Sequence, residues 1–273
     1  MSLPGKKVLG HWFWVLMFRY PKLRTLLTRL LVPSREVDIQ IFGAPLHINT
    51  RDEIGLWRAA RSAEGNIILR HEAASLLNLA LVLQPGDVFI DIGANVGLYS
   101  SVLARYRHLF AASKFIAIEA NPGTAGRLRR SLAGAEVEVL NIGASDHAAE
   151  LPFTSGVTSG VFKVAPASQR DGLINIRCER LDTLPLPPGD LVLKVDVEEH
   201  ELPVLEGAAR LFDEQRIKVI YLDGYSSKTI PELLRAQGFV LFNGQTLAPC
   251  PGPAPEFSLL AVHRTRLPLN HEP

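Results

Sequence analysis

Cysteine is scarce in this chain, in which Cys178 and Cys250 lie far apart and outside any C-x-x-C pair. This argues against a disulfide framework and a zinc site, and it favours a reducing compartment, so we expect a cytoplasmic protein. A basic excess is also lacking, because the formal net charge is +1. Dedicated nucleic-acid-binding proteins usually carry such an excess, so no nucleic-acid partner is predicted.

Residues 1–35 contain no acidic residue, and no apolar run in them is long enough to span a bilayer. The run HWFWVLMF, residues 11–18, falls short of the ~20 apolar residues required. Arg19 and Lys22 follow it without a small-residue cleavage site, which argues against a signal peptide. The leucines between residues 23 and 31 keep helical spacing, with Arg24 and Arg29 off that face. The segment is either a basic amphipathic anchor at the inner face of the membrane or a helix that caps the core.

Apolar strands and amphipathic helices alternate from residue 87 onward, which predicts an α/β fold with a mostly parallel sheet covered on both faces. Strands are predicted at 87–92, 115–119, 136–141, 190–196, 217–223 and 257–263, and helices at 72–83 and at about 97–108, 122–133, 201–213 and 229–237. A hairpin is predicted at 37–48, a β-excursion at 150–182 and a proline-rich loop at 246–255. The expected domains are an N-terminal extension (1–69), the main domain (70–265) and a tail (266–273).

The turn after the first of these strands lacks a glycine that a dinucleotide site needs. In DVFIDIGANVGLYS, residues 87–100, Gly93 allows a sharp bend and Gly97 lets the next helix start close to a ligand. A G-x-G-x-x-G fingerprint has its second glycine where this chain has Asn95, and Asp91 before the turn would repel a pyrophosphate. A nicotinamide-dependent oxidoreductase is therefore the disfavoured alternative for this sheet.

Acidic residues at two strand ends favour a different nucleotide ligand. The acid at Asp91 suits an ammonium group near a ribose, and S-adenosylmethionine carries both without phosphate. Glu119, at the end of the next strand, can accept hydrogen bonds from both ribose hydroxyls. At a third strand end, Ser145 and Asp146 either contact the adenine edge or form a plain turn. S-adenosylmethionine is therefore the predicted cofactor.

Residues 70–263 resemble the FkbM-type S-adenosylmethionine-dependent methyltransferases through motifs in sequence order. These are His71-Glu72, PGDVFIDIGANVG (85–97), EANP (119–122), NIGASD (141–146) with Phe153, RLDTL (180–184) and KVDVEEHELPVLEGA (194–208). The resemblance implies a Rossmann-like class I methyltransferase fold with seven strands, and Glu72, Asn121 and Asp196 as further cofactor contacts. It also implies O-methylation of a sugar, glycolipid or polyketide-like acceptor.

Two residues depart from the family pattern. The family usually has proline where this chain has Ala120, and glycine where it has Glu199. The second departure places a carboxylate in a turn beside the expected active site.

Three polar residues after strand 190–196 are the candidate catalytic groups. An aliphatic hydroxyl is a poor nucleophile, and a general base accelerates its reaction by ~10²–10⁴. The strand is predicted to lie beside that of Asp91 and to deliver Asp196, Glu198 and His200 to the same sheet edge. His200 is the predicted base, kept neutral by the positive end of the following helix, with Asp196 or Glu198 orienting it or the acceptor. The alternative is that His200 only caps that helix.

Two further possibilities stay open at this point. Asp196 and Asp223 could hold a magnesium ion, but two acids without a third ligand make a poor site, so a metal-free reaction is preferred. A non-catalytic, membrane-associated scaffold with the same fold is the last alternative. The acceptor pocket is predicted to take its walls from residues 154–172 and 243–256.

Overall fold

The computed structural model describes residues 31–61, 67–154, 162–166, 168–255 and 257–267. In chain order, its strands and helices are β1 (Glu36–Ile41), β2 (Ala44–Asn49), α1 (Ile54–Ala60), α2 (Ile67–Val82), β3 (Val88–Ile92), α3 (Leu98–Arg105), β4 (Lys114–Ile118), α4 (Pro122–Ser131), β5 (Val137–Leu140), β6 (Gly143–Ala144), β7 (Ala149–Thr154), β8 (Leu173–Glu179), β9 (Leu191–Val195), α5 (Glu201–Glu206), α6 (Ala209–Asp213), β10 (Ile217–Gly224), α7 (Ile230–Ala236), β11 (Phe239–Asn243) and β12 (Phe257–His263).

Seven strands form one sheet in the order β11-β12-β10-β9-β3-β4-β5. Neighbouring strands from β10 to β5 pair in parallel, and β12 runs antiparallel to both of its neighbours. The chain leaves β3 towards β4 and β5 and later returns to β9 on the other side of β3. This reversal of strand order creates a crevice at the carboxyl ends of β3 and β9, where ligands of open α/β sheets bind. The predicted Rossmann-like α/β fold is confirmed.

The two central strands are apolar except for Asp91 in β3 and Lys194 in β9, because helices cover both faces of the sheet. All five residues of β3 and all five of β9 are buried. On one face, Ile90 belongs to a core formed with α5, α6 and α7. On the other face, Phe89 packs in a core formed with α2, α3 and the β1–β2 hairpin.

Several sequence expectations are refined by the fold. The hairpin and the helix before β3 are present, and the excursion at 150–182 contributes to a small sheet of order β6-β8-β7. Strand β11 is the seventh strand of the main sheet, which the family resemblance implied but for which no range was predicted. The helix expected at 201–213 is divided into α5 and α6 at Gly207, whose added Cβ would lie 2.0 Å from the carbonyl oxygen of Ser145. This close approach brings the loop after β6 against the junction of α5 and α6.

The expected membrane anchor falls mainly on residues 1–30, which lie outside the described residues. Within the described part of the chain, no helix combines the length and apolar character needed to cross a membrane.

Candidate active site

An open cleft lies at the carboxyl ends of β3, β4 and β9. Gly93, Glu119 and Asp196, the residues that follow these strands directly, all line it. Phe153 and Phe162 form a stacked pair in its wall, with ring centroids 5.0 Å apart. The strands therefore deliver these three predicted residues to one place, and the excursion after β5 closes one side.

The turn after β3 depends on its two glycines. Gly93 has φ +76°, and a Cβ added there would lie 1.9 Å from the carbonyl oxygen of Asp196. Gly97 has φ +91°, and its Cβ would lie 2.6 Å from Leu128 Cδ1. Asn95 also adopts a left-handed conformation, with φ +52°, which asparagine tolerates better than most residues. The strand ends of β3 and β9 thus approach each other as only glycine allows.

Glu119 is held from two sides by the backbone. Its Oε2 accepts a hydrogen bond from Asn95 N at 2.9 Å, and its Oε1 accepts one from Asn121 N at 2.8 Å. Burial raises the pKa of this carboxyl to about 7, although both backbone hydrogen bonds act in the opposite direction. The side chain lines the cleft while its exposed fraction is only 8%. Its geometry leaves one lone pair on each oxygen for a ligand.

Asn121 contacts Glu119 through its backbone, while its side chain caps a helix. Its Oδ1 accepts from Gly123 N at 2.9 Å and from Thr124 N at 3.2 Å at the start of α4. The side chain therefore satisfies helix N–H groups rather than facing the cleft.

Asp91 is fully buried and does not line the cleft. Its Oδ2 accepts from the Ser100 hydroxyl at 2.7 Å and from Ser100 N at 3.2 Å, and its Oδ1 lies 3.3 Å from Lys194 Nζ. Lys194 Nζ also lies 3.1 Å from Asp196 Oδ2. Burial alone would lower the pKa of Lys194, but the charges of Asp196 and Asp91 outweigh it and the pKa is raised. Asp91 therefore reaches the cleft indirectly, through Lys194 and Asp196.

Glu72 lies behind this charge network, on α2, and is absent from the cleft lining. Burial raises its pKa, while a hydrogen bond with Tyr99 and the charge of Lys194 lower it. The Lys194 ammonium also lies 4.7 Å from the centroid of the Tyr99 ring. The partly buried Glu72 and the buried Tyr99 and Lys194 thus form a polar layer beneath the cleft.

His200 lines the cleft just before α5. Burial lowers its pKa, so the imidazole is neutral near pH 7, and the six-residue helix that follows is not needed to explain this. Its Nε2 lies 3.0 Å from the hydroxyl of Ser145. Ser145, rather than Asp196 or Glu198, is therefore its hydrogen-bond partner. His200 makes no side-chain hydrogen bond that caps the helix.

Ser145 and Asp146 lie behind His200 and outside the cleft lining. The Ser145 hydroxyl donates to Asp146 Oδ1 at 3.0 Å, and His147 Nδ1 lies 2.7 Å from the same oxygen. These contacts link the two residues to the histidine, which neither an adenine contact nor a plain turn would predict. The sequence contains no signal for the link, because Ser145 and His200 are 55 positions apart.

The other acidic residues that follow β9, Glu198, Glu199 and Glu201, each make different contacts. Glu198 lines the cleft, and burial raises its pKa, as does the charge of Asp196. Glu199 adopts φ +59° and pairs with Lys163 at 2.7 Å. Glu201 accepts from Ser226 N at 3.1 Å and from its hydroxyl at 3.0 Å, which fastens the loop after β10.

The expected cleft walls are partly present. Phe162, Lys163 and Val164 line the cleft, within the predicted range 154–172, whereas no lining residue comes from 243–256 in the described chain. Among the residues described, no group of three or more His, Cys, Asp or Glu side chains is placed to hold a metal ion. The magnesium alternative at Asp196 and Asp223 therefore finds no third ligand there.

The chain is similar to known proteins in sequence and in structure. The family model of the methyltransferase FkbM domain matches residues 91–241. The chain is similar to the hexuronic acid methyltransferase AglP of Haloferax volcanii, with 26% identity over 206 residues that cover 72% of this chain and 78% of that protein.

Two solved structures are also similar to the chain. M. jannaschii TYW2 in complex with AdoMet is 13% identical, with a TM-score of 0.41 and coverage of 84% of this chain and 85% of that one. Precorrin-6y C5,15-methyltransferase from Geobacter metallireducens is 19% identical, with a TM-score of 0.39 and coverage of 72% and 88%.

Proposed function

The chain belongs to the FkbM family of methyltransferases, whose methyl donor is S-adenosylmethionine, and on this premise we propose that it methylates a hydroxyl oxygen of a sugar, glycolipid or polyketide-like acceptor. The matched residues, 91–241, include all residues that line the cleft. The observation that carries the proposal is the buried Glu119 carboxylate, held by two backbone N–H groups at the edge of that cleft.

The residues of the cleft fit such a cofactor. Asn95 Oδ1 is a buried acceptor without a hydrogen-bond partner among the described residues. Each oxygen of Glu119 can still accept a ribose hydroxyl. Gly93 and Gly97 form the turn that closes this end of the cleft. When bound, S-adenosylmethionine supplies an electrophilic methyl carbon on a positively charged sulfur.

Asp196 takes the role that the sequence suggested for Asp91. It lines the cleft, and its side chain is 46% exposed, whereas Asp91 is fully buried. A carboxylate in this position suits an ammonium group. Lys194 holds Asp196 in place, and Asp91 and Glu72 stabilise Lys194 from below. Asp91 and Glu72 are therefore assigned to support of the cofactor site.

His200 is assigned as the general base. It lines the cleft, and burial keeps its imidazole neutral. As the acceptor oxygen forms its bond with the methyl carbon and the carbon–sulfur bond breaks, the hydroxyl proton passes to the imidazole. Positioning of the acceptor supplies much of the rest of the rate acceleration, because in-line displacement requires the acceptor oxygen to be aligned with the methyl carbon.

The charges of the cleft favour a neutral hydroxyl over a carboxylate as acceptor. Asp196 and Glu198 line the cleft, and Lys163, the cation that also lines it, is already paired with Glu199. A negatively charged acceptor would meet like charges there. The similarity to AglP supports a sugar acceptor, and it makes hexuronic acid the second candidate.

Mass spectrometry of glycans and lipids from cells with and without the protein tests the proposal. The expected result is a species heavier by about 14 daltons when the protein is present, with the methyl group on a hydroxyl oxygen. A methyl ester would favour the carboxylate alternative. Identical spectra, together with no calorimetric binding of S-adenosylhomocysteine, would contradict the proposed activity itself.

A further inference from the structure

One buried hydroxyl connects His200 with a carboxylate. Ser145 has no exposed surface, and its Oγ lies 3.0 Å from both His200 Nε2 and Asp146 Oδ1. Among the described residues, this contact at Nε2 is the hydrogen bond that the imidazole makes. The other ring nitrogen, Nδ1, is therefore left for a ligand in the cleft that His200 lines.

The protons available on Ser145, Asp146 and His200 determine which group donates and which accepts in each of these hydrogen bonds. A serine hydroxyl has one proton to donate. Asp146 is ionised near pH 7, because the hydrogen bond from His147 lowers the pKa of its carboxyl. An ionised carboxylate is acceptor-only, so the Ser145 proton points to Asp146. The serine oxygen then faces His200 as an acceptor, and Nε2 must carry the proton of the neutral ring.

The backbone around Ser145 is fixed by the surrounding elements. Its N–H donates to the carbonyl of Glu179 at the end of β8, at 2.9 Å. Gly207, at the junction of α5 and α6, approaches its carbonyl so closely that no side chain fits between them. Arg180 donates to the carbonyl of Asp146. The hydroxyl is therefore presented to the histidine by a rigid loop.

We propose that Ser145 and Asp146 are positioning residues that hold His200 with its proton on Nε2, so that Nδ1 is the atom that removes the acceptor proton. The inference rests on the proposed function. The O–H bond of the acceptor breaks as its oxygen forms the bond with the methyl carbon, the carbon–sulfur electron pair stays on sulfur, and the proton moves to Nδ1. The resulting imidazolium donates through Nε2 to Ser145, and the charge of Asp146 stabilises it.

Charged groups around the ring set the expected pH dependence. Asp146 and Glu201 favour the protonated ring, His147 opposes it, and Glu198 lies in the same loop. Asp146→Asn removes a charge that favours protonation, so the pKa of His200 falls. Because the neutral ring is the active form, the acid limb of the pH profile moves to lower pH, while the plateau rate decreases.

Nitrogen-15 spectra of the imidazole rings test the tautomer in the full chain, independently of any acceptor. His200→Gln assigns the signal. The expected wild-type pattern is a neutral ring protonated at Nε2, which Ser145→Ala converts to a mixture of tautomers. A wild-type ring protonated at Nδ1 would overturn the inference, even if S-adenosylhomocysteine binds normally.

Methyl transfer tests the consequence for catalysis. The assay measures transfer from methyl-labelled S-adenosylmethionine to glycans and lipids extracted from cells that lack the protein. Ser145→Ala is expected to reduce kcat by about 10–100-fold with unchanged affinity for S-adenosylhomocysteine.

The matched control is Ser131→Ala, which deletes another buried serine hydroxyl, on α4, and should leave kcat unchanged. If Ser145→Ala does not fold, Asp146→Asn at a partly exposed position supplies the same test through its pH profile. An unshifted acid limb in Asp146→Asn would contradict the inference.

Discussion

The carboxylate of Glu119 accepts a hydrogen bond from the backbone N–H of Asn95 at 2.9 Å, so two turns from neighbouring strands are fastened together at the edge of the cleft. Asn95 stands where a dinucleotide fingerprint has its second glycine. The contact therefore uses the position that distinguishes this turn from a pyrophosphate site.

Glu119→Gln is expected to weaken binding of S-adenosylhomocysteine about 10–100-fold, because the amide replaces one acceptor oxygen by a donor. Isothermal titration calorimetry measures the change. Glu138→Gln, a change of the same size on the neighbouring strand β5, is the control and should bind like the wild type. Equal affinities for all three proteins would remove Glu119 from the cofactor site.

The raised pKa of Glu119 predicts a pH-dependent stability. Its value changes from 4.5 in the unfolded chain to about 7 in the folded one. The folded state therefore binds this proton more tightly, and the contribution is full below pH 4.5 and is lost as the pH rises through 7. The difference in unfolding free energy between wild type and Glu119→Gln should change by about 3 kcal/mol over this window. Urea unfolding at several pH values checks it; a constant difference would contradict the shift.

Gly93→Ala is expected to lower the free energy of unfolding by about 1–3 kcal/mol or more, because the new Cβ meets the backbone of Asp196 at a positive φ. Gly134→Ala separates the effect of the steric clash from the effect of the positive φ. Gly134 also has a positive φ, but its Cβ would meet no atom within 4 Å, so it reports the backbone strain alone. Denaturant unfolding should give a clearly lower free energy of unfolding for Gly93→Ala than for Gly134→Ala.

Lys194→Met leaves Asp91 buried without its cation and should cost about 3–5 kcal/mol of unfolding free energy. The double variant Lys194→Met with Asp91→Asn should recover part of this loss, because it removes the uncompensated charge. Lys218→Met, at a partly exposed lysine of β10, serves as the control. Additive effects of the two substitutions in the network would show that Asp91 and Lys194 do not interact.

Peripheral membrane contact through residues 1–35 stays a prediction. The basic, acid-free composition of this stretch should let the full chain sediment with anionic liposomes, and increasing salt should weaken that binding. Sedimentation that is unchanged after deletion of residues 1–35 would contradict the anchor.

The sequence shows where strands end but not which way their side chains point. Asp91 and Glu119 were found because each ends an apolar run. Their different surroundings depend on strand register, which pairs Asp91 with Lys194 across β3 and β9 and directs both to the same face of the sheet. Register is a property of the assembled sheet, so Lys194 could not be assigned from its own segment.

The hydrogen bond between His200 and Ser145 could not be predicted either, because it also depends on the assembled fold. Strand β9 was correctly placed beside β3, which brought His200 to the cleft. Its contact with Ser145 depends on Gly207, which lets α5 approach the loop after β6. Such a contact between distant segments has no periodic pattern in the sequence. Strand β11, at the edge of the sheet, was not placed although FVLFN is an apolar run like those of the strands that were.

The two backbone hydrogen bonds on Glu119 have a consequence for the thermodynamics of recognition. They form within the protein itself, so the carboxylate is already oriented before any nucleoside arrives. Little conformational entropy then remains to be lost on association, and the free and bound states of this end of the cleft should be nearly superimposable. If Glu119 binds the ribose as proposed, selectivity for the nucleoside is established during folding.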